Sequence, residues 1–150
     1  MVIRGMTEAD LPEVCAIENE TFSDPWSHDD FRSSLLDNKN DYLVVEIDGR
    51  IAAYCGFWGV AGEGDIFNVA VKKEYRRQHI GETMLKALIE KGVARGITSF
   101  TLEVRSSNDP AIRLYESLGF KSAGIRKDFY TKPKEDAVIM WLDTIQQFPL

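Results

Sequence analysis

No stretch of this 150-residue chain comes near the roughly 18 consecutive apolar residues that a membrane-spanning helix needs, so a helical transmembrane protein is excluded. The start, Met1-Val2-Ile3-Arg4-Gly5-Met6, lacks the basic segment and apolar stretch of a secretory signal, which makes the cytoplasm the expected compartment. Cysteine is scarce. Cys15 and Cys55 stand apart with no Cys-x-x-Cys pair, and His28 and His79 are the only histidines, which argues against a disulfide framework or a zinc site. Cys55, inside Ala53-Tyr54-Cys55-Gly56-Phe57, reads as a small buried hydrophobe rather than a nucleophile. Net positive charge is lacking too: the formal charge of −6 disfavours a general nucleic-acid binder and suits a basic partner. With no repeats, low-complexity tracts or linkers, residues 1–150 are expected to fold as one domain large enough to bury a core.

What is present is a 44% hydrophobic, 28% charged chain of ordinary globular composition. A short strand over Val2 to Arg4 precedes a helix expected from Glu8 to Phe22, with Thr7 and Asp10 as its cap and Leu11, Val14, Ile17 and Thr21 at helical spacing. Asp24-Pro25-Trp26 interrupts the pattern, and Ser27 with Asp30 caps a second helix through Phe31, Leu35 and Leu36. Three strands follow as a meander: Tyr42 to Ile47, the Asp48-Gly49 turn, Arg50 to Val60, then Asp65 to Val71. An amphipathic helix opens at Gly81 and ends at Gly96, and a strand from Ser99 to Val104 leads into a helix that starts at Pro110 and closes at Gly119. Strands at Phe120 to Ile125 and Ala137 to Leu142 complete the chain, separated by a polar loop around Lys132-Pro133-Lys134. Hairpins followed by strand-helix alternation predict an α/β fold of the α+β kind, a mixed, mostly antiparallel sheet flanked by helices.

The segment Val69-Ala70-Val71-Lys72-Lys73-Glu74-Tyr75-Arg76-Arg77-Gln78-His79-Ile80-Gly81-Glu82 carries the chemistry signal. A strand breaks into a basic turn and then a helix start, whose unpaired N–H groups and positive dipole end suit a pyrophosphate. A solvated charged turn is the plainer reading of that run taken alone. Both helices, from Gly81 and from Pro110, follow strands, so a ligand is expected between their N-termini. Glu103 and Tyr115 are the titratable candidates there. Glu103 points away from Leu102 and Val104, and a carboxylate on an interior strand indicates a cleft as readily as a polar face. Tyr115 shares helical spacing with Ala111, Leu114 and Leu118, so a core-facing ring is the competing reading.

The basic turn into Ile80-Gly81, then Glu103-Val104-Arg105, Asn108 and Ala111-Ile112-Arg113-Leu114-Tyr115-Glu116-Ser117-Leu118-Gly119-Phe120 resemble the GNAT family of N-acetyltransferases over nearly the whole chain. Together with Asp24-Pro25-Trp26-Ser27 they resemble its bacterial branch that acetylates the N-terminal alanine of ribosomal proteins; sister branches acting on lysine side chains or small amines share much of the pattern, and a non-catalytic acetyl-CoA-sensing module is the alternative from another class. The resemblance implies central strands splayed to admit acetyl-CoA and no metal, with Val69, Ala70 and Val71 holding the acetyl-pantetheine arm by their backbone. It implies a pyrophosphate cradle of Arg77, Gln78, His79, Ile80, Gly81 and Glu82, with Asn108 as a side-chain anchor for the cofactor. It makes Glu103 the general base for an amine of pKa about 8, and Tyr115 the general acid for a thiolate of pKa about 8.5. A backbone N–H of the Val69 to Val71 strand would stabilise the oxyanion. The partner implied is a basic N-terminal peptide of a small-subunit ribosomal protein, with no direct contact to nucleic acid or membrane. The family's turn usually carries glycine where this chain has His79, and histidine is expected to serve there with helical geometry and a free N–H.

Overall fold

The computed structural model describes residues 1–147. Seven strands, β1 (Val2–Gly5), β2 (Asn40–Ile47), β3 (Arg50–Val60), β4 (Glu63–Val71), β5 (Ser99–Arg105), β6 (Lys121–Thr131) and β7 (Lys134–Asp143), form one sheet in the order β1-β2-β3-β4-β5-β7-β6. The helices are α1 (Leu11–Thr21), α2 (His28–Leu36), α3 (Ile80–Ala94), α4 (Asp109–Ser117) and α5 (Thr144–Gln147). The sheet is mixed and mostly antiparallel, as the pattern of hairpins predicts. β4 and β5 run parallel, because the chain between them crosses over through α3.

Helices cover both faces. α1 and α2 lay Leu11, Val14, Ile17 and Phe31 on Tyr42, Val44, Ile51 and Tyr54. α3 lays Met84, Leu85, Leu88 and Ile89 on the opposite face, against Val45, Cys55, Phe57 and Phe100. Each such fully buried side chain contributes on the order of 2 kcal/mol from lost water contact, which is how an amphipathic stripe becomes a packed layer. Gly56 shows how close that packing is: a Cβ there would lie 2.2 Å from Tyr42, its cross-strand partner, so only glycine lets the ring lie over the strand.

The ladder between β4 and β5 holds for three pairs, Glu63 with Ser99 through Asp65 with Thr101, and then the strands part. From there to Val71, β4 has no ladder partner on its β5 side. The splayed opening is the feature that positions the site.

Two expected boundaries shift. The first helix begins with a 3-10 turn at Glu8–Asp10 and becomes α-helical at Leu11, because Asp10 turns its carboxylate back onto the Thr7 N–H (2.8 Å) and onto Arg4 (2.8 Å). β6 runs to Thr131 rather than Ile125, and β7 starts at Lys134, so most of the expected polar loop is hairpin strand. β6 is the sheet edge and is exposed almost throughout, with register breaks near Gly124 and between Arg126 and Tyr130, so it carries no clean apolar alternation.

Candidate active site

At the end of β4 the chain makes a 3-10 turn over Lys73–Tyr75, and Arg76 braces it by donating from Nε to the Val71 carbonyl (2.9 Å). Arg77 (φ 64°) and His79 (φ 60°) are both left-handed, and α3 begins immediately after. His79 therefore does not adopt the helical geometry expected of it. Left-handed residues one apart turn successive amides inward as an anion-binding concavity, whereas helical geometry would have aligned them along one axis. The first main-chain bond of α3 runs from Thr83 N–H to His79 O (3.1 Å), which leaves the Ile80, Gly81 and Glu82 amides without intrahelical partners. The Glu82 carboxylate is engaged by Lys86 (3.2 Å), so its amide is the group available to an anion. A Cβ at Gly81 would stand 3.5 Å from Leu114 and 3.6 Å from Val71, filling the crevice between α4 and β4.

The left-handed histidine supplies a stability prediction. An L residue in that region costs about 1–2 kcal/mol, of which glycine's greater unfolded-state freedom offsets part. His79→Gly is expected to raise Tm by about 1–3 °C in calorimetry, with the KM for acetyl-CoA within about twofold of the parent. A lower Tm would show that the His79 side chain, 3.6 Å from Glu82, contributes more than the strain.

Between the parted strands lies a cavity of 810 Å³. Val69, Ala70, Val71, Arg77, His79, Ile80, Gly81, Glu82, Glu103, Asn108 and Tyr115 all line it, so nearly every residue singled out from the sequence meets there. Gln78 does not: its side chain reaches back to the Glu74 carbonyl (3.4 Å). Asn108 caps α4 by accepting the Ala111 N–H on Oδ1 (3.3 Å), and its Nδ2 donates to no protein group among the described residues. Glu103 accepts from Arg126 Nη1 on Oε1 (3.0 Å), while Oε2 has no such partner. Tyr115 faces the core, as its spacing suggested, and borders the cavity as well. Its ring is buried against Phe120 (5.9 Å, edge-on), and its residue still lines the cavity, with no hydrogen bond from its hydroxyl to the described residues. Burial, with Tyr130 and Cys55 nearby, pushes the phenol well above its ordinary value.

A second cavity, of 610 Å³, lies between α1, the loop after it and the β6–β7 turn, and shares Thr21, Arg105 and Tyr130 with the first. Arg105 stacks on Tyr130 (4.3 Å) and pairs with Glu135 (3.1 Å). Glu135 also accepts the Ser107 N–H (2.8 Å), and these bonds hold its carboxyl down at about 2. Glu18, Asn68 and Trp26 also line this cavity, and sequence reasoning missed all three as site residues. Glu18 falls four residues after Val14 and seven after Leu11, a carboxylate on a buried stripe, which was the available signal. Asn68 stands as a polar residue inside the apolar run Ile66 to Val71, a signal the sequence reading did not use. Its Oδ1 and the Oγ1 of Thr21 are buried without partners, a condition that costs about 1–3 kcal/mol for each.

Among the described residues no group of three or more His, Cys, Asp or Glu side chains is placed to hold a metal ion, and no helix is long and apolar enough to cross a membrane. The sequence profile of the Acetyltransferase (GNAT) family matches residues 11–120. The ribosomal protein bS18-alanine N-acetyltransferase of Escherichia coli K12 is 39% identical over 142 residues, spanning 93% of this chain and 95% of its own length. A Bacillus subtilis protein assigned the same bS18-alanine activity is 43% identical over 141 residues, 93% of each chain. The crystal structure of the Escherichia coli ribosomal-protein-S18-alanine N-acetyltransferase matches with a TM-score of 0.87 at 38% identity, covering 95% of this chain and 92% of that one. The family uses acetyl-CoA as co-substrate. Profile, sequence relatives and fold agree with the splayed sheet: the chain is an acetyltransferase and belongs to the GNAT family.

Proposed function

We propose that this enzyme, as one domain over residues 1–150, transfers acetyl from acetyl-CoA directly to the N-terminal α-amino group of an alanine on a small-subunit ribosomal protein in the cytoplasm. The observation that carries this reading is the pairing of cavities: the one holding Glu103 and Tyr115 adjoins, across Thr21, Arg105 and Tyr130, one lined by Glu18 and Asp24. A basic peptide terminus suits the second, and the relatives at 39–43% identity are named for that substrate.

In this reading the free edge of Val69, Ala70 and Val71 binds the acetyl-pantetheine arm as a missing strand would. The amides of Arg77, Gln78, His79, Ile80, Gly81 and Glu82 take the pyrophosphate, with Gln78 acting through its main chain and Asn108 through Nδ2. Glu103 takes a proton from the ammonium directly or through a water, using the oxygen that Arg126 leaves free. A main-chain N–H of β4 then meets the negative charge developing on the thioester oxygen, and Tyr115 protonates the departing sulfur.

Incubation with acetyl-CoA and peptides bearing both a free alanine terminus and an internal lysine, followed by mass spectrometry, tests the reading. Acetyl on the α-amine is expected. Acetyl on lysine alone would sink the assignment while leaving the enzyme class intact.

A further inference from the structure

The second cavity carries polar groups that the acetyl-transfer steps leave unused, and one of them, Thr21, lines the first cavity as well. Asn68 sits in β4 with φ 57°, at the point where the β3–β4 register slips between the Tyr54 and Gly56 pairings. Asparagine tolerates that left-handed geometry better than most residues, and a bulge there re-aims the side chain out of the ladder. Its Nδ2 lies 3.4 Å from Glu18 Oε2. That contact fixes which way the amide is turned and leaves Oδ1 on the other side, buried and without a partner. Thr21, one helical turn after Glu18, presents a second buried acceptor without a partner, its Oγ1.

Glu18 itself is 2% exposed. It accepts the Tyr54 hydroxyl (2.6 Å) and the Trp26 N–H (3.0 Å), and among the described residues no lysine, arginine or histidine pairs with it. The cations of the same cavity are committed or remote: Arg105 is held by Glu135, and Lys132 stands at the exposed rim. A buried carboxylate with no cation paired to it and two idle oxygens on neighbouring side chains is an arrangement that a donor-rich cation satisfies.

We infer that Asn68 Oδ1 and Thr21 Oγ1 form the subsite for the primary ammonium group of the acceptor, with Glu18 as the positioning residue that orients Asn68 and supplies the negative potential. The inference rests on the acetyl transfer proposed above and names where its acceptor docks. Thr21 and Asn68 both line the second cavity, and an ammonium has three N–H groups to offer their oxygens. No bond is made or broken in the subsite; the amine passes from it into the first cavity by way of Thr21, which lines both, and there gives its one proton to Glu103 as its nitrogen attacks the thioester carbon.

The test uses three ten-residue peptides: one with a free alanine terminus and no lysine, the same peptide Nα-acetylated, and an Nα-acetylated version with one lysine. Asn68→Gly keeps the left-handed backbone and removes the amide, and Thr21→Val keeps the shape and removes the hydroxyl. For the free peptide, KM is expected to rise about 10- to 100-fold in Asn68→Gly and about 3- to 10-fold in Thr21→Val. The KM for acetyl-CoA, kcat and Tm should stay near the parent's, a split that a general loss of structure would not produce. Glu18→Gln should raise the peptide KM in the same selective way. If the parent acetylates the free terminus and both Asn68→Gly and Thr21→Val keep its peptide KM within twofold, the subsite is wrong and the transfer reading stands. If the parent acetylates only the lysine peptide, the α-amine reading falls. The subsite then stands if Asn68→Gly raises the lysine-peptide KM by the same factor, and it falls with that reading if the KM is unchanged.

Discussion

Tyr115→Phe is expected to lower kcat by about 10²- to 10⁴-fold with little change in the KM for acetyl-CoA, the size of effect that removing a general acid produces. The ring is held from two sides, by its place in α4 after the Asn108 cap and by edge-on packing on Phe120, so the aim of its hydroxyl is set by groups that phenylalanine leaves untouched. Tm should therefore move by no more than about 2 °C, since the lost hydroxyl makes no hydrogen bond to the described residues. Burial raises the phenol's pKa, and an acid so raised stays protonated at every pH below its ordinary value of about 10. The kcat profile of the parent should accordingly show no falling limb from this group below about pH 10. Turnover by Tyr115→Phe within threefold of the parent would remove Tyr115 from the proton-donor role.

Glu103→Gln should lower kcat/KM by about 10²- to 10⁴-fold near pH 7, with the deficit shrinking as pH rises. The reason lies in the acceptor. An α-ammonium has a pKa of about 8, so above that pH solvent deprotonates a growing share of it and the carboxylate is needed less. Glutamine keeps the length of the side chain and can still accept from Arg126, which separates loss of basicity from loss of the 3.0 Å contact. A deficit that is the same at pH 6.5 and pH 9.5 would mean that Glu103 positions the substrate and takes no proton from it.

Much of this architecture is legible in local sequence, for local reasons. Ser27 and Asp30 form the expected reciprocal cap, at 3.1 and 2.9 Å, because both partners lie within four residues. Asp48 and Gly49 make the expected hairpin, both with positive φ, as a two-residue turn between right-twisted strands requires. Glu103 and Tyr115 were visible as titratable residues of one β5–α4 unit, while Asn108 entered only through the family resemblance. His79 was misread, since nothing in a histidine's neighbours along the chain demands a left-handed backbone; the demand comes from closing the turn between β4 and α3. β6 was cut short because an edge strand exposed on both faces need not alternate.

By itself, the sequence determined most of the elements, their caps and turns, the amphipathic faces and the start of α3, because these depend on periodicities and side-chain to main-chain bonds spanning a few residues. Tertiary structure alone decided that β7 lies between β5 and β6, that β4 and β5 part after Asp65 and Thr101, and that Glu18 of α1 meets Asn68 of β4. Those outcomes depend on how two helical layers pack on opposite faces of one twisted sheet. Packing brings together groups 50 residues apart whose polarity has no local partner to reveal its purpose.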